Sequence, residues 1–172
     1  FYITAKIHKT PWTVRPIVSV SGSLTHGLGR WLDQQLKPLV RKLPSYIESS
    51  FDLKTRLSRL NVDFSNISLF SCDAVSMYTN IDTDHGLETI EKWLELHHTE
   101  IIAEYPSFPF ALIMELLRLV MKNNIFQFDD CWYHQQNGTA MGTSVACIYA
   151  TIYYSYHEET MILPTYRSSL LY

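Results

Sequence analysis

The sequence is poor in cysteine, and its three cysteines, Cys72, Cys131 and Cys147, are odd in number and widely spaced. This usage favours reduced thiols in an intracellular compartment over a disulfide framework. No secretory signal is visible. The chain also lacks a long hydrophobic run, because its most apolar stretch, around residues 110–121, is interrupted by Glu115 and Arg118 and is too short to span a bilayer. The sequence therefore predicts an intracellular protein without a membrane partner.

Basic residues are scarce after residue 60. Residues 61–172 carry four Lys/Arg against fourteen acidic residues, whereas residues 1–60 carry ten against three, so the two parts have net charges of −10 and +7. The overall net charge of −3 hides this asymmetry. A basic part joined to an acidic part suits a polyanion held on one side and cations on the other, although solvated faces also differ in charge by chance.

The apolar share of 47%, with 13% aromatic residues, is ample for a packed core. The 172 residues amount to one domain or to a large part of a bigger one. The sequence opens at Phe1 without a methionine and stops at Tyr172 with no polar tail, so we expect a fragment of a longer protein. It has no internal repeat and no linker-like stretch.

Hydrophobic spacing predicts a mixed α+β fold. Two hairpins are expected, one from residues 1–7 and 14–20, and one from 125–128 and 131–134 with an acidic turn. Five helices are predicted: residues 24–40, one capped by Ser50, one capped by Asp82, one from Pro109 to about Met121, and one from Ser144 to about Met161.

A short apolar stretch at residues 69–73 ends on Asp73, and an aromatic residue, Tyr78, follows five positions later. The stretch is too short for a helix, so we predict a strand with at least one buried face. A carboxylate that leaves an apolar strand needs compensation for its desolvation. A cation, an arginine or water would each provide it, so Asp73 alone leaves both a metal site and a solvated strand end open.

Two further segments contain residue types that suit a ligand-binding site. The first hairpin carries Lys6, Lys9 and Arg15, and arginine offers a planar fork for phosphate oxygens whereas lysine acts as a point charge. The loop at residues 138–143, Gly-Thr-Ala-Met-Gly-Thr, opens the last predicted helix. Taken alone, the first is more simply a charged surface and the second a helix-entry turn. The order of the segments along the chain is more informative than any one of them.

In this order the sequence resembles reverse transcriptases, most closely those of Penelope-like retroelements. The matching segments are AKIHK at residues 5–9, RPIVS at 15–19, the segment 69–81 with its Asp-x4-Tyr spacing, and GTAMGT at 138–143. The resemblance implies an RNA-directed DNA polymerase and a fingers-and-palm fragment. Residues 1–60 would form the basic fingers side, and residues 61–172 would form part of an antiparallel palm sheet backed by helices.

The resemblance also implies a two-metal site and a selective sugar pocket. Asp73 matches the first catalytic aspartate, which would bind Mg²⁺ or Mn²⁺ together with the backbone carbonyl of Ala74. Tyr78 falls where such enzymes place an aromatic steric gate that excludes a 2′-hydroxyl.

Further residues would hold the substrates. Those matching the site of the incoming deoxynucleoside triphosphate are Arg15, Lys6, Lys9 and Gly142. Those matching contacts to the RNA template and DNA primer are Asn137, Gly138 and Met141. Glycines at 138 and 142 would allow a close backbone approach that any Cβ would hinder.

The sequence departs from the family pattern in two places. Residues 143–147 read Thr-Ser-Val-Ala-Cys, where many members carry a proline. The second metal motif, aromatic-x-Asp-Asp, does not occur before Tyr172, and we expect it beyond that residue. Phe128-Asp129-Asp130 is not a substitute, because it precedes the glycine loop and its aspartates are turn residues by preference.

The sequence therefore predicts a reverse transcriptase of a retrotransposable element. A nuclear site of action is implied only by the resemblance to this family of retroelements. The alternative is a decayed or co-opted copy that binds nucleic acid without polymerising. A metal-dependent nuclease is disfavoured because no second clustered carboxylate accompanies Asp73. Cys131 and His134 have metal-like spacing but no second pair of ligands for tetrahedral zinc.

Overall fold

The structure is a computed structural model that describes residues 1–43, 45–61, 65, 68 and 70–166. Its elements in chain order are β1 (Tyr2–Lys6), β2 (Thr13–Ile17), α1 (His26–Val40), α2 (Ser50–Arg59), α3 (Thr83–Leu96), α4 (His98–Glu104), α5 (Phe110–Lys122), β3 (Ile125–Phe128), β4 (Cys131–His134), α6 (Ala146–His157) and α7 (Leu163–Tyr166). A π-helical segment, Glu158–Ile162, joins α6 to α7. The mixed α+β composition predicted from the sequence is confirmed.

Both predicted hairpins are present. β1 and β2 pair antiparallel, with Tyr2 opposite Ile17 and Lys6 opposite Thr13. β3 and β4 also pair antiparallel, and Asp129 in their turn has φ of 54°, a left-handed conformation that aspartate tolerates better than most residues. Among the described residues the two hairpins remain separate two-stranded sheets.

The strand predicted to end at Asp73 is wrong for residues 70–73, which are irregular, and Leu69 lies outside the described residues. Phe70 is 73% exposed, so the expected buried face is missing as well. None of the described strands pairs with this segment, and an unpaired strand gains neither ladder hydrogen bonds nor a covered face. The described strands therefore do not form the antiparallel palm sheet backed by helices, and the fingers-and-palm architecture stays a prediction.

Four helices form the core. α1 and α3 each pack against both α5 and α6. On α1, Leu32, Leu36 and Val40 recur at helical spacing and are almost completely buried, which is why this face turns inward. The largest other side chains at the centre are Trp93, Tyr149, Ile81, Ile90, Ile113, Leu117 and Ile152.

The ends of the helices follow local signals with small offsets. Asp82 caps α3 as predicted, and its carboxylate accepts a hydrogen bond from the His85 backbone N–H at 2.9 Å. The cap of α2 is Ser49 rather than Ser50. α1 ends two residues after Pro38. The last predicted helix is α-helical only to His157 and continues as the π-helical segment.

None of the helices in the described part of the chain combines the length and the apolar character that a membrane crossing requires.

Candidate functional site

A cavity of about 950 Å³ lies between the first hairpin, the segment after Asp73 and the start of α6. This volume is at the upper end of the ~300–1,000 Å³ usual for ligand pockets. Eight of the ten residues singled out from the sequence line it: Lys6, Lys9, Arg15, Asp73, Ala74, Tyr78, Met141 and Gly142. Three segments that are far apart in the sequence therefore meet at one place.

The charged lining of the cavity is mostly positive. In the part of the chain that the structure describes, Lys6, Lys9 and Arg15 face it against one carboxylate, that of Asp73. Arg15 lies on β2 opposite Thr4, and Lys6 ends β1, so the short antiparallel ladder holds their backbones in register. Within the described residues none of the three cations forms an ion pair with a carboxylate. Unpaired cations in a concave site attract anionic groups such as phosphates.

The turn that follows Asp73 is closed by its own hydrogen bonds. The backbone N–H groups of Thr79 and Asn80 both donate to the Ser76 carbonyl, at 3.0 and 3.1 Å, and the Asn80 side-chain amide donates to the Val75 carbonyl at 2.9 Å. Ser76 has φ of 51°, an uncommon conformation for a residue with a side chain. The turn reverses the chain directly after Asp73 and brings Tyr78 to the cavity wall.

The glycine loop connects the hairpin to this turn. The Val18 N–H donates to the Met141 carbonyl at 2.8 Å, and the Thr139 N–H donates to the Tyr78 carbonyl at 2.7 Å. The loop thus contacts the end of β2 with one side and the Tyr78 turn with the other. These two bonds fix the relative positions of the hairpin and the turn.

Gly138 and Gly142 are required by contacts with the chain's own backbone. A Cβ on Gly142, whose φ is +129°, would lie 2.4 Å from the Val18 carbonyl oxygen. A Cβ on Gly138, at φ +77°, would lie 2.9 Å from the Thr79 Cα. Both conformations favour glycine, and both approaches exclude a side chain. The expectation that these glycines also admit a nucleotide and a template–primer stays a prediction.

Tyr78 is held at its phenol end as well as at its backbone. Its hydroxyl lies 3.2 Å from the thiol sulfur of Cys147, in the first turn of α6. Burial, the hydrogen bond with Cys147 and the nearby thiol raise the pKa of Tyr78 to about 12. The phenol therefore stays protonated at neutral pH and is able to donate to the sulfur.

Two predicted residues lie outside this cavity. Asn137 is exposed, and its carbonyl accepts a hydrogen bond from the Gln135 side-chain amide at 2.9 Å. Gly138 is buried under the Tyr78 turn. A smaller cavity of about 280 Å³ shares Met141 with the first one and is walled by the rings of Phe126 and Tyr133, which stack with centroids 5.6 Å apart.

The donors available to a metal ion are few. Asp73 and the Ala74 backbone both line the cavity, and across the described residues no group of three or more His, Cys, Asp or Glu side chains converges. Mg²⁺ is commonly held by one or two carboxylates, its own waters and substrate phosphates. One exposed carboxylate beside a backbone carbonyl fits one such ion in part, and a second carboxylate would have to come from elsewhere.

Reasoning from the sequence missed several cavity residues. His8 and Thr143 line the wall, but although both lie in segments that match the family, the resemblance assigns neither of them a role. Cys147 was noted only as a reduced thiol, because 69 residues separate it from the tyrosine it contacts. The close approach of Val18 to Gly142 was equally invisible, although two glycines in a six-residue loop hint that some backbone comes near.

Comparison with known proteins found no matching family model, no matching curated protein and no matching solved structure.

Proposed function

We propose that this chain is the nucleotide-binding part of an RNA-directed DNA polymerase of a retrotransposable element. The observation that carries the proposal is the convergence on one cavity of Asp73, Tyr78 and the three hairpin cations. The resemblance assigns these residues to one active site, and their meeting at one cavity supports that assignment. The partners would be an RNA template, a DNA primer and deoxynucleoside triphosphates.

In this proposal the hairpin binds the triphosphate. Arg15 grips phosphate oxygens with its planar fork, and Lys6 and Lys9 add positive charge at the same wall. Nucleotidyl transfer depends mostly on positioning and on stabilisation of charge, so three unpaired cations at a fixed register suit it.

Asp73 and the Ala74 carbonyl would hold Mg²⁺ or Mn²⁺. When bound, the ion stabilises negative charge on the transferring phosphoryl group as a Lewis acid. The Asp73 carboxylate is exposed at the cavity and is free to take this role, because the described residues offer it no basic partner within ion-pair distance.

Tyr78 would select the sugar. Its ring reaches the cavity from a closed turn and is fixed at both ends, by the Thr139 N–H at the backbone and by the Cys147 thiol at the hydroxyl. A ring held in this way excludes a substituent that would overlap it, such as a 2′-hydroxyl, more effectively than a mobile ring.

Among the described residues Asp73 supplies the one carboxylate that lines the cavity, and this favours one alternative. A decayed or co-opted copy would keep the basic hairpin and bind nucleic acid without catalysis, because one carboxylate cannot hold two ions in place. The two proposals differ in whether an aromatic-x-Asp-Asp motif accompanies these residues in the complete reading frame.

The test is Asp73→Ala in the complete reading frame that contains this chain, assayed for Mg²⁺-dependent extension of a DNA primer on an RNA template. We expect a loss on the order of 10³-fold, since several kcal/mol of charge stabilisation depend on the ion. Asp130→Ala, in the β3–β4 turn, is the matched control and should retain activity. Near wild-type extension by Asp73→Ala would overturn the polymerase proposal, and binding of RNA–DNA duplex without any extension by the wild type would favour the alternative.

A further inference from the structure

The contact between Tyr78 and Cys147 joins two parts of the cavity wall. Tyr78 belongs to the turn after Asp73, and Cys147 is the second residue of α6. The hydroxyl and the sulfur are 3.2 Å apart, and both side chains line the cavity that contains Asp73 and Arg15. The contact is therefore made at the proposed site itself.

Besides this contact, the Tyr78 side chain is partly buried against the hydrophobic core and is held through its backbone, but neither of these fixes the position of its hydroxyl. The Tyr78 carbonyl accepts from the Thr139 N–H at 2.7 Å, which fixes the Cα but leaves the side-chain torsions free. The phenol hydroxyl is the far end of the ring, and Cys147 is the residue that holds it. Since Cys147 is exposed at the wall, truncating it removes the partner of Tyr78 without emptying the core.

The packing of α6 on the core does not depend on Cys147. Its neighbours in the helix, Ile148 and Tyr149, are buried and account for that packing. Cys131 is also an exposed free thiol, but it lies on β4 and does not line the cavity. Cys147 differs from Cys131 by its contact with the proposed steric gate.

We propose that Cys147 is a positioning residue for Tyr78 and that the pair, rather than the tyrosine alone, sets the preference for deoxyribonucleotides over ribonucleotides. This inference rests on the proposed polymerase function and adds to it a residue that determines specificity. Cys147 does not touch the reacting atoms and acts through the orientation of the ring.

The experiment measures the ratio of kcat/KM for dATP to kcat/KM for ATP, opposite a templating uracil, with the complete reading frame. Cys147→Ala should lower this ratio by about two- to tenfold, the equivalent of one ordinary hydrogen bond. Cys147→Ser keeps a hydroxyl partner and should restore most of the ratio, which a merely structural role would not produce. Cys131→Ala is the matched control and should leave the ratio unchanged.

A double-mutant cycle gives the second readout. Tyr78→Phe removes the hydroxyl and keeps the ring, so it should lower the ratio as Cys147→Ala does, and the double variant should be no worse than either single one. An unchanged ratio in Cys147→Ala, or losses that simply add in the double variant, would overturn the inference.

The failure of this inference is distinguishable from failure of the proposed function. If the wild type extends no primer, the polymerase proposal fails, and the ratio of the Kd values for ATP and dATP then replaces the kinetic ratio. A wild-type preference for dATP in binding that falls in Cys147→Ala supports the inference by itself. Equal ratios in the wild type and in Cys147→Ala overturn it.

Discussion

Substitution of Gly142 by alanine tests whether the close contact of the glycine loop with the Val18 backbone holds the walls of the cavity together. The added Cβ would lie 2.4 Å from the Val18 carbonyl oxygen and 3.0 Å from its carbon, both of them backbone atoms that cannot rotate away. The alanine would also have to adopt φ of +129°. The loop and the end of β2 must therefore move apart, and the Val18 N–H···O=C Met141 bond of 2.8 Å must lengthen.

The magnitude follows from two separable terms. A side chain held in a sparsely populated backbone region costs about 1–3 kcal/mol, and overpacking by one methyl group against rigid neighbours costs about 1–3 kcal/mol more. We expect Gly142→Ala to lower the free energy of unfolding by about 3–4 kcal/mol. For a chain of this size that loss corresponds to a fall in Tm of roughly 10 °C.

Gly22→Ala is the matched control, because Gly22 also has a positive φ, +78°, but a Cβ there meets nothing within 4 Å. It should cost only about 1–2 kcal/mol from the backbone conformation. Urea unfolding of the two variants and the wild type, followed by circular dichroism, measures the difference. Equal losses in Gly142→Ala and Gly22→Ala would refute the close approach of the loop to Val18.

Two further predictions concern the gate and pH. Tyr78→Ala should raise ribonucleotide relative to deoxynucleotide incorporation on the order of 10- to 100-fold, more than Tyr78→Phe does, and an unchanged ratio in single-nucleotide extension assays would contradict the gate. Burial and the nearby His85 lower the pKa of His157 from its usual 6.5. The unfolded chain therefore binds a proton at His157 more readily than the folded chain does. The contribution of His157 to the free energy of unfolding should be complete above pH 6.5 and should be lost as the pH drops through the lowered pKa. Urea midpoints measured from about pH 7.5 to 5 should fall less in His157→Gln than in the wild type, and parallel curves would contradict this assignment.

The hairpins and the core helices could be predicted because their signals are local. Alternation flanked by turn residues gives β3 and β4, and Asp82 before an apolar-periodic run gives the start of α3. Such signals depend on neighbours within four residues. These local signals therefore act in the same way wherever the element lies in the fold.

The segment before Asp73 shows where local reasoning fails. An apolar run predicts a strand only if another strand pairs with it, and residues 70–73 have no such partner among the described residues. The contact of Cys147 with Tyr78 was equally out of reach, since it depends on how α6 packs against a distant turn. Eight of the residues named from the sequence line one cavity, whereas their supporting residues could not be named, because the chemistry of a site restricts the choice of residues and many residues could serve as supports.

The first hairpin has a mechanical consequence for the cavity. Both of its strands are exposed along their length except at Lys6 and Ile17. Its root is tied by the Val18–Met141 bond and by the stacking of Phe1 on Phe126 at 5.2 Å, interactions worth about 1 kcal/mol each. These contacts hold the base of the hairpin in place, but they offer little resistance to tilting of its far end.

The three cations lie at different distances from the base of the hairpin. Arg15 is two residues from the end of β2 at the root, whereas Lys6 closes the far end of the ladder and Lys9 lies in the loop beyond it. A small rotation about the root would leave Arg15 nearly in place and carry Lys9 through the widest arc. The hairpin therefore places Arg15 next to its attachment to the rest of the chain and Lys9 farthest from that attachment, so the position of Arg15 in the cavity is the better fixed of the two.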